Sequence, residues 1–576
     1  MSQTTRHPLL LAAVAAGAAC AALALVPTET YAEAFAHPSR VARLEGAIPE
    51  ATTRGAIVFR LALAAAAALV PLLAWRLVRE EDPSGRAARR MWPTDRRGWL
   101  GLGAIVAFGA VVRVVLATES LWYDEISAFL SFAIEGPGVA FGSYAVPTNH
   151  VPMTLATWLA WTLSGGSMHE LVLRAPAVLA GVAAIPVGYA LAATLFPRRA
   201  AMLGALAVSV APIPVLESVE ARGYAFVILA AMVAALALAR ALRTRAAADH
   251  ALFAAACAFG AWAHPVAILV PMAAGVMGLA GIAGIAGLAG LAGRSAESGL
   301  SGDQARARAR RLVLAALLAG VVAAVLLSPL AGDVLATRKD YLRSASEQPT
   351  VFSREGYEAL LVTTLAWSGR MFALPNLFLT AIALVGLARM WRRRRVRAVA
   401  APFALALVLA FALSTGLGTW IYARFVLFAV PIGVLAVVAA GARRRRSALI
   451  VGLLLVLGLA TGLRGYTVKQ PIRDAVAIVA TKRAPSDRVA TIGLPDNAVG
   501  FYARQFGFDA TATGFLGADF AAVAARERPR FVVVLYPDRL DDGILRSLDA
   551  GYDRTHRLDG WADWGAGAVE VWERAV

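Results

Sequence analysis

The chain of 576 residues is 59% hydrophobic, has a mean hydropathy of +0.64 and carries a formal net charge of +18 at pH 7. Soluble globular proteins are nearer half apolar, so this composition excludes an ordinary soluble domain. The two cysteines, Cys20 and Cys257, also exclude a disulfide framework and a cysteine-rich metal site.

Apolar runs of roughly 17–25 residues can cross a bilayer, and they must do so as helices because lipid offers no partner to backbone polar groups. The first run, 7–26, is either a signal peptide or a retained first helix. A shorter apolar stretch, 151–163, predicts an interfacial or re-entrant helix. With the first run, the following runs predict a polytopic α-helical membrane protein with about 12–13 transmembrane helices: 56–79, 98–118, 172–196, 200–216, 225–243, 250–263, 265–293, 312–331, 371–391, 398–414, 424–441 and 447–463.

Arginine-rich blocks separate many of these runs and indicate the orientation of the chain. If the block at 86–97 is inside, all later blocks fall on the same side as the spans alternate: 198–199, 240–245, 294–311, 392–397 and 443–446. Cytoplasmic loops carry such an excess of positive charge. We therefore expect a multi-pass protein of the cell membrane whose opposite loops, including 332–370, are extracytoplasmic. Arginines dispersed between apolar runs do not indicate a nucleic-acid partner.

The composition changes after about residue 462. The stretches 488–493 and 530–536 have the pattern of buried strands, and helical patterns lie at 472–482, 518–527 and 541–549. A small extracytoplasmic α/β domain is therefore predicted at 464–576. It follows a transmembrane module at 98–463, and residues 1–97 hold the N-terminal signal or extra transmembrane segments with a basic cytoplasmic loop.

Four polar clusters fall on the predicted outer side. Acids close to a bilayer usually face a cavity, which favours a functional role for Asp124 and Glu125. Each cluster also has a structural explanation. Asp124 and Glu125 can be solvated acids next to interfacial aromatic residues, and His150 can be a hydrogen-bonding loop residue. Arg222 can pair with Glu220, and Arg424 can reach lipid headgroups. Polar clusters without a common role would be expected on both sides of the membrane. Their location on one side therefore favours a functional role. The clusters lie at 119–127, at 147–153 with Asn149 and His150, at 217–224 with Glu220, Arg222 and Tyr224, and at 420–424 with Tyr422 and Arg424.

The order of these motifs resembles the bacterial GT-C superfamily of membrane glycosyltransferases. The closest resemblance is to the branch related to protein O-mannosyltransferases and to the aminoarabinose transferases of lipid A. It covers residues 98–245 well and 422–424 loosely. Two departures are Asn-His-Val-Pro where Asn-His-Pro-Pro is common, and one or two extra helices before the usual first span. The motifs are Leu-Trp-Tyr-Asp-Glu at 121–125, Asn-His-x-Pro at 149–152, Glu-Leu-x-Leu-Arg-x-Pro from 170, and Glu-Ala-Arg-x-Tyr at 220–224.

The resemblance implies transfer of a hexosyl or pentosyl group from a polyprenyl-phosphate donor to an acceptor hydroxyl on an envelope glycan, lipid or protein. Under it, Asp124 is the candidate general base, and Glu125 or His150 orients the acceptor or the sugar. Arg222 and Arg424 are the candidate phosphate ligands. No cofactor is predicted, and a divalent cation stays open because some relatives use one. The remaining predicted substrate-binding residues are Asn149, Glu220, Tyr224 and Tyr422.

Two alternative functions belong to protein classes other than enzymes. A transporter or flippase of lipid-linked sugars would have many helices, but it predicts paired half-sequences with broken helices at the midplane. A non-catalytic assembly protein predicts that Asp124 and Glu125 are dispensable. The sequence has no visible duplication, and its polar residues gather at one interface, which favours the enzyme.

Overall fold

The computed structural model describes residues 7–81, 91–283, 302–346, 373–417, 422–464, 466–494, 497–562 and 567–575. Arg86, Arg89 and Arg90 of the first predicted arginine block, and residues 347–370 of the predicted outer loop, lie outside this range.

Long apolar helices make up most of the described chain. Nine of them are long and apolar enough to cross a membrane, or up to ten if the bent pair near the N-terminus is one span. The first half contains α1 (Pro8–Ala24), α2 (Thr28–Phe35), α3 (Pro38–Arg43), α4 (Glu50–Arg79), α5 (Arg96–Leu116), α6 (Tyr123–Ala128), α7 (Pro137–Gly142), α8 (Val151–Leu163), α9 (Glu170–Leu195), α10 (Ala201–Val210), α11 (Pro212–Leu216) and α12 (Tyr224–Thr244). The second half of the module contains α13 (Ala247–Ala263), α14 (Leu269–Ala283), α15 (Gly302–Leu327), α16 (Ala331–Ser346), α17 (Ala373–Trp391), α18 (Arg394–Gly416), a 3-10 helix at Ala423–Ala429, α19 (Val430–Gly441) and α20 (Arg445–Arg464).

The polytopic helical fold class is confirmed; among the described residues nine or ten of the predicted 12–13 spans qualify, and the predicted run 371–391 lies partly outside the described residues. Each predicted run is helical where it is described. The run at 200–216 is interrupted before Pro212, whose ring cannot continue a helix, and gives two helices of 10 and 5 residues. Helix α13 has only 17 residues, the lower end of what crosses a bilayer. A hydropathy profile alone reveals neither the break before Pro212 nor the short length of α13.

A buried arginine compensates for the break between α10 and α11. Arg113, in α5, is fully buried and donates hydrogen bonds to the backbone oxygens of Gly109, Val208, Ser209 and Pro214 at 2.9–3.3 Å, and from Nε to the Ser218 hydroxyl at 2.8 Å. Backbone groups freed inside lipid need such partners. Arg113 thereby fixes the start of the polar segment 217–223.

Contacts bring several predicted arginine blocks to one end of the helix bundle. Arg198 donates to the Thr94 hydroxyl at 2.8 Å, and Arg199 donates to the backbone oxygen of Arg443 at 3.4 Å. Arg311 donates to the backbone oxygen of Arg245 at 3.4 Å, and Arg240 Nη1 donates to Met91 Sδ of the first block at 3.3 Å. The blocks therefore share an end of the molecule, as the alternation of spans requires. That this end is cytoplasmic stays a prediction.

The C-terminal region forms a five-stranded mixed sheet in the order β2-β1-β3-β5-β4. Strand β1 pairs in parallel with β2 and β3, and β5 pairs antiparallel with β3 and β4. The predicted α/β class is confirmed, whereas β2, β4, β5 and α22 were not predicted. The elements are α21 (Ile472–Lys482), β1 (Val489–Gly493), α22 (Ala498–Gln505), β2 (Ala510–Phe515), α23 (Phe520–Glu527), β3 (Phe531–Leu535), α24 (Asp542–Asp549), β4 (Tyr552–Leu558) and β5 (Val569–Arg574).

This C-terminal domain packs directly on the loop that carries the acidic motif. One buried apolar cluster combines residues of 121–134 with residues of α21, α22, β1 and β3. Polar bonds cross the same interface: the Tyr502 hydroxyl and Arg473 Nη1 both donate to Glu170 Oε1, at 3.0 and 2.8 Å. The Leu121 N–H donates to the Tyr502 hydroxyl at 2.7 Å. The domain therefore takes part in positioning the candidate site.

Candidate active site

Helix α6 begins at the acidic motif, and the two acids have different surroundings. Glu125 is the third residue of the helix, and its carboxylate accepts from the Trp122 N–H at 3.1 Å, which caps the start of the helix. Arg174 donates to the same carboxylate from Nε and Nη2, at 2.8 and 2.6 Å, and the Ala221 N–H donates to Oε1. The Glu125 side chain is 0% exposed, so both of its oxygens are occupied inside the protein.

Arg174, which stands in the 170–181 motif but was not predicted as a site residue, completes this arrangement. Its guanidinium also donates to the backbone oxygens of Ala117, Glu119 and Ser120 at 2.6–3.2 Å. The Glu125–Arg174 pair thus ties together the acidic loop, α9 and the 217–223 segment. Its geometry fits a positioning role for Glu125 better than the predicted contact with substrate.

Asp124 points into a different environment. Its side chain is 20% exposed, and Oδ2 lies 3.4 Å from Nη2 of Arg222, whose own side chain is only 4% exposed. Arg222 Nη1 also donates to the backbone oxygen of Thr148 at 3.0 Å. Burial opposes the charge of Arg222, yet the neighbouring Asp124 carboxylate leaves its pKa above the ordinary value. The site therefore pairs the predicted base with one predicted phosphate ligand.

The Asn-His motif has a supporting part and a site-facing part. Asn149 Nδ2 donates to the backbone oxygens of Ala140 and Ser143 at 2.9 and 2.7 Å, and its Oδ1 accepts from the Thr154 hydroxyl at 2.8 Å. Asn149 therefore shapes the loop before α8, and nothing in its contacts supports the predicted substrate-binding role. The motif's departure from the family pattern, Val151, is fully buried.

His150 lies beside Arg222 and the ring of Tyr224. Its ring centroid is 4.9 Å from that of Tyr224 and 5.6 Å from that of His264, and its Nδ1 is 3.0 Å from the backbone oxygen of Ala263. Burial, with Arg222 and His264 nearby, holds the pKa of His150 well below its usual range. The imidazole is therefore neutral at physiological pH, and Nδ1 donates to Ala263.

Two further cations meet at the indole of Trp122. The guanidinium of Arg424 lies 6.0 Å from its ring centroid and 4.6 Å from that of Tyr422. On the same indole, Lys469 Nζ lies 3.5 Å from the centroid, and it forms a 2.8 Å ion pair with Glu220 Oε2. The structure thus places Arg424, Tyr422 and Glu220 near the acidic motif, and their predicted substrate-binding role stays a prediction. Lys469 was missed because its segment has no motif of its own.

Several buried donors around this point have no hydrogen-bond partner within the described ranges. They include the indole N–H of Trp122, Nε–H of Arg222 and the side-chain amide of Gln470. Leaving a buried donor unpaired costs about 1–3 kcal/mol. Gln470 is held next to the acidic motif because its Oε1 accepts from the Tyr123 N–H at 2.9 Å. The region therefore offers positive charge and unpaired donors, which suits an oxygen-rich anionic ligand.

The acids considered for a divalent cation are each engaged with a basic side chain. Asp124 faces Arg222, Glu125 is bound by Arg174, and Glu220 by Lys469. Within the part of the chain that the structure describes, no group of three or more His, Cys, Asp or Glu side chains is arranged to hold a metal ion.

No protein-family model matches the chain, and no curated protein matches it. Among solved structures, the chain is similar to ArnT from Cupriavidus metallidurans in the apo state, with 15% identity over 82% of this chain and 98% of that chain and a TM-score of 0.49. It is similar to the same ArnT bound to undecaprenyl phosphate, with 15% identity over 83% and 98% and a TM-score of 0.47. It is also similar to the archaeal oligosaccharyltransferase AglB from Archaeoglobus fulgidus in complex with an inhibitory peptide and a dolichol-phosphate, with 14% identity over 77% and 70% and a TM-score of 0.42. The neighbours are of the kind that the motif order led us to expect, but a likeness at this level assigns neither an activity nor site residues.

Proposed function

We propose that this protein is a membrane glycosyltransferase that moves a sugar from a polyprenyl-phosphate carrier to an acceptor hydroxyl at the outer face of the cytoplasmic membrane. The observation that carries the proposal is the convergence of three cations and several unpaired buried donors around the acidic motif, which also holds one partly exposed carboxylate. The cations are Arg222, Arg424 and Lys469, and the carboxylate is that of Asp124.

Phosphate is the leaving group in such a transfer, and it needs positive charge more than it needs a proton. As the bond between the anomeric carbon and the phosphate oxygen breaks, negative charge grows on the phosphate. Fixed cations in a water-poor site stabilise that charge strongly. Arginine suits this task because its planar guanidinium offers paired donors that match phosphate oxygens. Arg222 and Arg424 supply two such groups.

Asp124 is the best candidate for the general base. The transition state at a glycosyl centre is oxocarbenium-like, and the acceptor hydroxyl must lose its proton as its oxygen bonds to the anomeric carbon. Asp124 is 20% exposed, whereas the side chains of Glu125 and Glu220 are 0% and 3% exposed. Its contact with Arg222 would hold it beside the reacting centre once phosphate shares that guanidinium.

Other predicted residues take supporting parts in the proposal. Glu125 and Asn149 hold backbone segments in place, as their occupied hydrogen-bonding atoms suggest. Tyr224 and Tyr422 form aromatic walls beside Arg222 and Arg424. Neutral His150 keeps Nε2 as an acceptor for a hydroxyl of the sugar or the acceptor.

The proposal is tested with purified protein in detergent and a panel of labelled polyprenyl-phosphate sugars, including hexosyl and pentosyl donors. We expect at least one donor to yield free polyprenyl phosphate together with a transferred or hydrolysed sugar. Movement of intact donors across proteoliposomes, with no cleavage of any donor in the panel, would contradict the enzyme and favour the flippase.

The proposed orientation has its own test. In a background with both cysteines replaced by alanine, Asp549→Cys in the C-terminal domain should react with an impermeant maleimide in intact cells. Arg444→Cys, at the arginine-rich end of the bundle, should react only after the membrane is opened. Both positions are exposed, so the reverse labelling pattern would overturn the orientation.

A further inference from the structure

We infer that Lys469, held by the C-terminal domain, is a third phosphate ligand of the site, and that donor phosphate replaces Glu220 as its partner. This inference rests on the proposed function and deepens it. It makes the active site a joint product of the membrane module and the C-terminal domain.

The first step is the position of the Lys469 ammonium. It lies 3.5 Å from the ring centroid of Trp122, and the Arg424 guanidinium lies 6.0 Å from the same centroid. The two positive charges at one indole repel each other, and a nearby anion offsets this repulsion. Glu220 supplies one negative charge at 2.8 Å from Nζ, while the indole N–H of Trp122 has no acceptor among the described residues. A phosphate would meet both needs.

The second step is that the backbone of Lys469 is fixed without help from Glu220. The Trp561 N–H, in the connection between β4 and β5, donates to the backbone oxygen of Val468 at 2.9 Å. A Cβ added at Gly567 would lie 2.2 Å from the backbone oxygen of Lys469, so only glycine permits this approach. On the other side, Gln470 binds the Tyr123 N–H. Lys469 would therefore stay in place when its ion pair opens.

The third step is that docking of the domain does not depend on the Lys469–Glu220 pair. The interface already contains the buried apolar cluster, and Arg473 and Tyr502 both bind Glu170. Because the domain is attached elsewhere, the pair is free to exchange partners. A phosphate has several oxygens, so one phosphate can bind Lys469 and a neighbouring arginine together.

The test measures binding of a short-chain polyprenyl phosphate without sugar to the full-length protein in detergent. Lys469→Met should weaken binding by about tenfold or more, since a charged hydrogen bond is worth roughly 1.5–3 kcal/mol. Lys469→Arg should keep most of the affinity because it keeps the charge. Glu220→Gln should tighten binding several-fold, because it removes the internal competitor. Glu220→Gln should have no such effect in the Lys469→Met background, since both act through one pair.

The outcomes separate this inference from the proposed function. If wild-type protein binds the probe and cleaves donor, but Lys469→Met binds like wild type, only the inference is overturned. The same holds if Glu220→Gln weakens binding as much as Lys469→Met, because the pair would then be structural. If wild-type protein neither binds the probe nor cleaves any donor, the proposed function itself is wrong. Thermal unfolding of each variant serves as the check on folding.

Discussion

Asp124 and Glu125 are neighbours in the chain, but they lead into two polar regions that differ in completeness. Around Glu125, Arg174 and backbone N–H groups occupy both carboxylate oxygens, and the pair is almost fully buried. The Asp124 side chain is partly exposed and lies 3.4 Å from Arg222, and among the described residues Nε–H of Arg222 and the indole N–H of Trp122 have no hydrogen-bond partner.

This difference distinguishes residues that hold the backbone in place from residues that can bind or react with a ligand. A fully satisfied buried network fixes one arrangement of the backbone and has no capacity left for a ligand. A region with unpaired donors and excess positive charge is costly unless something binds there. We therefore propose different roles for the two acids: Glu125 positions the loop, and Asp124 takes part in the reaction.

The largest expected effect comes from removing the proposed base. Asp124→Asn keeps the shape of the side chain but cannot accept the hydroxyl proton, so turnover should fall by about 10²–10⁴-fold. Probe binding should be retained. Turnover is measured with the donor identified in the panel, and Asp549→Asn, at an exposed acid of the C-terminal domain, is the matched control. Near-normal turnover in Asp124→Asn would remove Asp124 from the mechanism.

Changes to the Glu125–Arg174 pair should lower the stability of the protein rather than act directly on turnover. Arg174→Met leaves the Glu125 carboxylate buried and uncompensated, so it should destabilise the protein by about 3–5 kcal/mol. The double variant Glu125→Gln/Arg174→Met should be less destabilised, because no buried charge remains. Unfolding in detergent measures both. Arg54→Met, which removes an exposed partner of Glu50, should change stability by less than about 1 kcal/mol. Equal losses in Arg174→Met and Arg54→Met would contradict the distinction.

The two predicted phosphate ligands should show an intermediate effect. Arg222→Lys and Arg424→Lys keep the charge but lose the planar pair of donors, so each should raise the donor KM and lower kcat, by roughly 10-fold in kcat/KM. The double variant should lose less than the sum of the two, because both act on one phosphate. Arg444→Lys, at an exposed arginine in the block at the opposite end, is the control. Wild-type kinetics in both single variants would leave the phosphate without these partners.

The smallest effect concerns pH. The pKa of His150 is depressed in the folded protein, so below about pH 6.5 the unfolded chain takes up a proton that the folded chain refuses. Stability should therefore be unaffected by this group above pH 6.5 and fall below it, by at most about 1.4 kcal/mol per pH unit. His150→Asn should flatten that fall between pH 6.5 and 5. Equal slopes in the wild-type protein and in His150→Asn would refute the assignment.

Local patterns were sufficient for much of the fold and for part of the site. Apolar length predicted the helices, and the bounds of α8 agree with the predicted stretch 151–163. Hydropathy did not reveal the break at Pro212, and strand β4 was missed because its charged sequence, Tyr-Asp-Arg-Thr-His-Arg-Leu, lies at the sheet edge. Such features depend on tertiary partners rather than on the segment itself.

The site shows the same limit. Asp124, Arg222 and Arg424 stand in recognisable motifs, so the sequence indicated them. Lys469 and Gln470 come from a segment far along the chain, and only folding brings them to Trp122 and Tyr123. The proposed roles of Asp124 and Glu125 cannot be separated from the sequence, because the difference depends on the contact of Arg174 with Glu125.

The bond between the Tyr123 N–H and Gln470 joins residues 347 positions apart. During synthesis the acidic loop reaches its side of the membrane long before the ribosome has produced its partner, and domains fold as units in order of their emergence. Under the proposal, a nascent chain halted before residue 469 has Asp124 and Arg222 but not Lys469. Donor binding would therefore reach full strength only after the C-terminal domain has been synthesised and has docked on the acidic loop.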